Sequence, residues 1–318
     1  MASPLPLHMR ATLSGLRAFG DGFSALFHHA HRIGLAPSDR RVRVVSGIRY
    51  GGDPRQRVDV YLPVEKTLSA PLPTLVFMHG GGWVACNRTM SAPLARVLAS
   101  RGFAVVTPGY RLLPQCDREA QLGDVRDAMA WVMGPGAQRF GFDLSRLVVG
   151  GESAGAHLVM RTVQAWNPGW PKPRGIIGVY GMFDVQHLTA ETRPMFEPIR
   201  AALGQGMPFA EAARDHSALR PLPWTDVPVL LLHGEADDIA PVAQSHAMHS
   251  LLHARGHHVR LRTYPGVSHG FIYDGHPARR PTAARAYRAT LRFLLEVTER
   301  PAQHRSLAPP LPPTAEAS

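Results

Sequence analysis

A chain of 318 residues, 45% of them hydrophobic, can bury a large core, and one α/β domain with insertions accounts for it as well as two domains. The net charge of +11 comes from arginines spread along the chain, with Lys66 and Lys172 the only lysines; there is no basic stripe with interleaved aromatics, so a nucleic-acid partner is not expected. No run of ~18 apolar residues is present, which argues against a transmembrane helix, and Cys86 and Cys116 alone make no disulfide framework, which fits a reduced, cytoplasmic setting.

Along the chain, Leu13, Leu16, Phe19, Phe23, Leu26 and Phe27 recur at helical spacing within residues 1–34. The segment lacks the uninterrupted apolar stretch and cleavage site of a secretory signal, so it reads as a packed N-terminal helix, with a membrane-surface helix as the alternative. Residues 42–48 and 58–62 read as a pair of edge strands joined by the turn Gly51-Gly52-Asp53-Pro54. Strands over 74–78, 103–107, 146–150 and 176–180 then alternate with helices over 89–101, 119–133 and 154–166, the pattern of a parallel sheet covered on both faces. The alternation breaks between Asp184 and Asp226, a proline-rich stretch carrying Phe196, Phe209 and Trp224. It resumes with strands 229–233 and 259–264 and helices 242–255 and 281–298. An insertion there lies at the carboxyl edge of the sheet, where a cap over a site belongs.

Two strings carry the chemistry. Gly151-Glu152-Ser153-Ala154-Gly155 follows the strand pattern Arg146–Gly150 and precedes a helix pattern, the setting of a nucleophile elbow, a turn so tight that the neighbours of its serine must be small. His79-Gly80-Gly81-Gly82-Trp83 follows the run Thr74–Met78 and supplies bare backbone N–H groups for an oxyanion. The competing reading of Ser153 is a helix N-cap, which would not require small residues on both sides. Gly81, Gly82 and Ala154 are the expected oxyanion donors, and Trp83 is expected to wall the substrate pocket, although an aromatic there also suits the core.

A serine nucleophile needs a base and a carboxylate that orients it. Among 17 histidines, His269 alone follows the last strand on a loop with Gly266 and Gly270; His233 at a strand end reads as a buttress, and His79 as a structural hydrogen-bonding group. The loop Gly234-Glu235-Ala236-Asp237-Asp238 ends another strand, and a parallel sheet brings both loops to the edge that carries Ser153. Nothing in the spacing suggests a metal site, and no G-x-G-x-x-G suggests a dinucleotide, so no cofactor is expected.

At these strings the chain resembles the hormone-sensitive-lipase-like branch of the α/β-hydrolase superfamily, over roughly residues 40–300. Arg57–Pro63, Pro108–Pro114 and Phe142-Asp143 resemble further segments of that branch. The resemblance implies an α/β-hydrolase fold, a mostly parallel sheet with helices on both faces and a helical cap. It implies an N-terminal cap segment over 1–40, a catalytic domain over 41–300 with an inserted cap at 184–226, and a Pro/Ala-rich, disordered tail over 301–318. It favours Asp237, four residues after His233, over Asp238, which instead suits a helix cap. Glu152 stands where the family often has aspartate and reads as a brace for the elbow; Asp184 suits a helix N-cap.

The expected activity is hydrolysis of small or short-acyl carboxylic esters through an acyl-enzyme. Gly181–Asp184 and the Asp237 loop also resemble arylformamidases that open N-formyl-kynurenine, and a non-catalytic ligand receptor on the same fold is the alternative of a different class. A homodimer is left open.

Overall fold

The structure, a computed structural model, describes residues 6–32, 41–64, 71–187, 196–204, 206–273 and 280–299. The tail over 301–318, and parts of both cap segments, lie outside the described residues.

Helix α1 (Leu7–Arg32) is held through Leu13, Gly20 and Ser24, one side of a 3.6-residue repeat. Strands β1 (Val42–Arg49) and β2 (Arg57–Pro63) form an antiparallel hairpin. Then come β3 (Leu72–Met78), a 3-10 turn (Arg88–Ser91), α2 (Ala92–Ala99) and β4 (Ala104–Pro108). Helix α3 (Arg118–Trp131) is capped by the Asp117 carboxylate on the Ala120 N–H at 2.6 Å. It continues past its expected end through one π turn, which absorbs Pro135, into α4 (Ala137–Phe140), closed by Gly141 at φ 67°. The remaining elements are β5 (Phe142–Glu152), α5 (Ala154–Gln164), β6 (Gly175–Val179), α6 (Phe196–Gly204), α7 (Phe209–His216), β7 (Val229–Gly234), α8 (Ala243–His253), β8 (Val259–Tyr264) and α9 (Arg280–Glu299).

The eight strands form one sheet in the order β1-β2-β4-β3-β5-β6-β7-β8. β2 runs antiparallel to both its neighbours, and every other pairing is parallel. One expectation is corrected: β2 is not an edge strand but lies between β1 and β4, with Val58–Leu62 buried. Asp59 is buried there and held by the Gly47 N–H at 2.7 Å and Arg88 Nε at 2.8 Å. The helix expected over 89–101 is also shorter, because the Asn87 side chain accepts the Thr89 N–H and starts a 3-10 turn before α2.

Residues such as Leu75, Phe77, Val148 and Ile177 fill one face of the sheet and Val76, Val149, Ile176 and Leu231 the other. The carboxyl ends of β3, β5, β7 and β8 all open on one edge. The interruption between β6 and β7 supplies α6, which packs against α1.

Candidate active site

Ser153 joins β5 to α5 at φ 52° and ψ −123°, a backbone conformation L-residues rarely hold. The flanking glycines are required by space: a Cβ at Gly151 would lie 2.6 Å from Gly155 backbone, and one at Gly155 2.4 Å from the Met78 and His79 carbonyl oxygens. The Ser153 N–H is donated to Val179 O at 2.9 Å, and its carbonyl accepts from Met182 N at 3.3 Å, so the strained turn is fixed from both sides. The hydroxyl makes no capping bond to α5, which removes the alternative role for this serine.

That hydroxyl lies 3.1 Å from His269 Nε2, and His269 Nδ1 lies 2.7 Å from Asp237 Oδ2. The two loops that bring these groups together are stitched by main-chain bonds from Glu235 N to Tyr264 O and from Ala236 N to Val267 O, both 3.0 Å. Asp237 is buried, and its other oxygen accepts the N–H groups of Ile239 at 3.0 Å and Ala240 at 2.8 Å. Burial alone would raise its pKa; hydrogen bonds from His233, His269 and the Ala240 N–H outweigh it and hold the carboxyl well below its ordinary value. The group is therefore an anion, fit to orient an imidazole and to stabilise its protonated form.

His233 is tied down at both nitrogens, Nδ1 to Ser245 Oγ and Nε2 to Ala240 O, each at 2.7 Å, and its Nε2 lies 3.2 Å from Asp237. It props the Asp237 loop, away from the serine. His79 is fully buried, stacks on Tyr110 at 4.3 Å, and directs Nδ1 to Gly80 O at 2.7 Å. Burial pushes its pKa down to about 3, so it is neutral. Asp238 is exposed, and the Asp184 carboxylate accepts the Gln186 N–H at 2.9 Å, a turn-capping role.

After β3 the chain turns through Gly81 at φ 108° and Gly82 at φ 57°. A Cβ at Gly81 would lie 2.1 Å from Ala85 O. Among the described residues the N–H groups of Gly81 and Gly82 meet no acceptor, and Ala154 N–H, in the first turn of α5, has no intrahelical one. Glu152 is buried under this loop and accepts the Gly80 N–H at 2.7 Å; burial is the main reason its carboxyl is pushed above the ordinary range.

Ser153, His269, Gly81 and Gly82 open into a cavity of about 690 Å³. Its lining is apolar: Met90, Met182, Phe196, Ile199 and Ile239 from the body and inserted segment, with Leu16, Phe19 and Phe23 from α1. Among the described residues no lysine or arginine lines it, and Glu152 is the one acidic residue that does. Trp83 borders the cavity, but its indole is fully buried, donating to His157 Nδ1 at 3.3 Å and lying edge-on to His157 and His216. The expected pocket wall is thus mostly core.

The resemblance implied an N-terminal cap segment, but not which of its residues reach the cavity: Phe19 and Phe23 do so from more than a hundred residues before Ser153. The apolar spacing in α1 was the available signal, but it gave a buried face and not a direction. Among the described residues no group of three or more His, Cys, Asp or Glu is placed to hold a metal ion, and no helix is long and apolar enough to cross a membrane.

A family model described as alpha/beta hydrolase fold matches residues 75–273. Esterase LipC of Mycobacterium tuberculosis is 31% identical over 245 residues, covering 72% of this chain and 60% of LipC. Kynurenine formamidase of Danio rerio is 32% identical over 164 residues, 49% of this chain and 54% of that protein. The chain thus spans about 60% of the length of the first of these curated relatives. Among solved structures, esterase B from Lactobacillus Rhamnosis superposes with a TM-score of 0.69 over 93% of this chain and 100% of its own, at 24% identity, a likeness of fold.

Proposed function

This chain belongs to the α/β-hydrolase fold family, and we propose that it is a serine hydrolase that cleaves carboxylic esters through an acyl-enzyme. The observation that carries this reading is the unbroken chain Ser153–His269–Asp237, at 3.1 and 2.7 Å, at the base of an apolar cavity.

Ser153 Oγ attacks the ester carbonyl carbon while His269 Nε2 takes its proton, and Asp237 steadies the imidazolium from Nδ1. The carbonyl oxygen gains the negative charge, which the N–H groups of Gly81, Gly82 and Ala154 receive, helped by the N-terminus of α5. Collapse expels the alcohol, protonated by His269, and leaves Ser153 acylated. Water then repeats the sequence, giving up a proton to His269 and releasing the acid and free Ser153. No step calls for a cofactor.

The cavity lining favours an ester over N-formyl-kynurenine. That amino acid carries an ammonium and a carboxylate, and among the described residues of the cavity wall no lysine or arginine meets the carboxylate. Small and short-acyl esters fit, and about 690 Å³ also admits a drug-sized apolar ester. A receptor role would leave the complete hydrogen-bonded triad without a use. The α1 and inserted segments act as the cap, since both line the cavity.

The test is turnover of p-nitrophenyl acetate, butyrate and octanoate beside N-formyl-kynurenine. The ester reading expects kcat/KM on at least one ester to exceed that on the formamide by about a hundredfold or more. Faster formamide turnover would overturn it in favour of the formamidase, and no turnover of either would favour the receptor.

A further inference from the structure

One side of α1 looks outward and is apolar. Gly15, Ala18, Phe19, Gly22 and Phe23 are exposed on it, Phe19 to 74% and Phe23 to 37%. The two phenyl rings stack with centroids 6.1 Å apart, and a Cβ added at Gly15 or Gly22 would meet nothing within 4 Å. Single exposed aromatics need no explanation. Here two adjoin each other, and both also line the cavity above Ser153, so the outer apolar surface runs without a break into the inner one.

The charge of α1, and of the sequence on either side of it, is mostly basic. Asp21 is the single acidic residue of α1, and it is taken up by Arg55 at 2.6 Å and Asn87 at 3.2 Å. Arg10 is exposed at the start of the helix. In the first 49 residues of the sequence, Arg10, Arg17, Arg32, Arg40, Arg41, Arg43 and Arg49 are balanced only by Asp21 and Asp39, within a chain of net charge +11. A second copy meeting this face across a two-fold axis would set like charges against each other. An anionic surface meets them with complementary charge, and the exposed rings supply the apolar part of an interfacial helix.

We propose that α1 docks this protein on anionic phospholipid bilayers, with Phe19 and Phe23 entering the boundary between headgroups and acyl chains. The mouth of the cavity then faces lipid. An apolar ester dissolved in the bilayer reaches Ser153 without first crossing water. Docking itself does not depend on the hydrolase reading; only its use for delivering an ester does.

The experiment is co-sedimentation of the full chain with vesicles of phosphatidylcholine alone or mixed with phosphatidylglycerol, at low and at ~1 M salt. Binding should require phosphatidylglycerol and fall at high salt. Phe19→Ser/Phe23→Ser should lower the partition coefficient at least about tenfold, because each ring forfeits its apolar burial. Arg10→Glu should also weaken binding, and it keeps the proposal testable if the phenylalanine variant does not fold. Ser153→Ala should sediment like the wild type, which separates docking from catalysis. No sedimentation with either vesicle overturns the proposal, as does binding equal on both vesicle types. A concentration-dependent dimer abolished by the phenylalanine substitutions overturns it too, since a second copy would then cover this face.

Discussion

Replacing Asp237 by asparagine changes one atom and should nearly silence the enzyme. Oδ1 accepts two main-chain N–H groups, from Ile239 and Ala240, so the asparagine carbonyl must take that place. Its amide nitrogen then faces His269 Nδ1, from the position that Oδ2 holds at 2.7 Å. An amide N–H there donates to Nδ1, and the imidazole must move its own proton to Nε2. That proton points at Ser153 Oγ, 3.1 Å away, and the base can no longer accept one. The cost to kcat is about 10⁴-fold, equivalent to about 5.4 kcal/mol of barrier. The same amide also opposes the His233 Nε2–H that is donated to Ala240 O, so stability should fall by about 1–3 kcal/mol. Asp238→Asn is the internal comparison, since its side chain is exposed and should keep activity within about twofold. The assay is steady-state hydrolysis of p-nitrophenyl butyrate by both variants, each shown folded by its thermal transition. Asp237→Asn within about tenfold of wild type would refute the tautomer argument, and an inactive Asp238→Asn would shift the orienting role to the neighbouring residue.

Three further outcomes follow from the packing and the buried charges. Burial holds His79 and His157 at about 3 and His216 well below its ordinary value. The unfolded chain, with histidines near ~6.5, takes up these protons first, so stability present above that value should be lost as pH falls from about 6.5 toward 3. A calorimetric midpoint that stays constant between pH 7 and 5 would contradict this. Gly155→Ala should destabilise by about 1–3 kcal/mol, because its Cβ meets two carbonyl oxygens at 2.4 Å, whereas Gly15→Ala in open space on α1 should stabilise by about 0.5–1 kcal/mol; urea denaturation reads both, and equal effects would sink the steric account. Glu152→Ala orphans the Gly80 N–H and should lower kcat and cost about 1–3 kcal/mol, while Glu152→Gln keeps an acceptor and should recover most of both. Identical behaviour of the two variants would deny Glu152 its bracing role.

The sheet and the clustering of Ser153, Asp237 and His269 were legible because each depends on neighbours in sequence. Small residues around a serine, a glycine run after a strand, and polar loops after apolar strands are local signals, and a parallel sheet converts them into one edge. What escaped depends on distant partners. β2 can lie inside the sheet with Asp59 buried only because Arg88 pairs with that carboxylate, and Arg88 lies in a different element. The Trp83 indole sits against His157 and His216, some seventy and more than a hundred residues away, and only those partners decide between the pocket wall and the core that the sequence left open. The reach of Phe19 and Phe23 into the cavity likewise needs the close crossing of α1 over Ala85 and Cys86, where a Cβ at Gly20 would lie 2.7 Å from Cys86 N. Helical periodicity gives a face, and only tertiary packing gives it an address.

The central claim is that Ser153 is the nucleophile of an ester hydrolase, and covalent capture tests it most directly. A fluorophosphonate attacked by an activated serine forms a stable phosphonyl ester, which peptide mass spectrometry locates to a residue. The account predicts stoichiometric labelling of the wild type on Ser153, loss of esterase activity in step with labelling, and no label on Ser153→Ala. Label on any other residue, or an active enzyme that remains unlabelled while the reagent is intact, would contradict it.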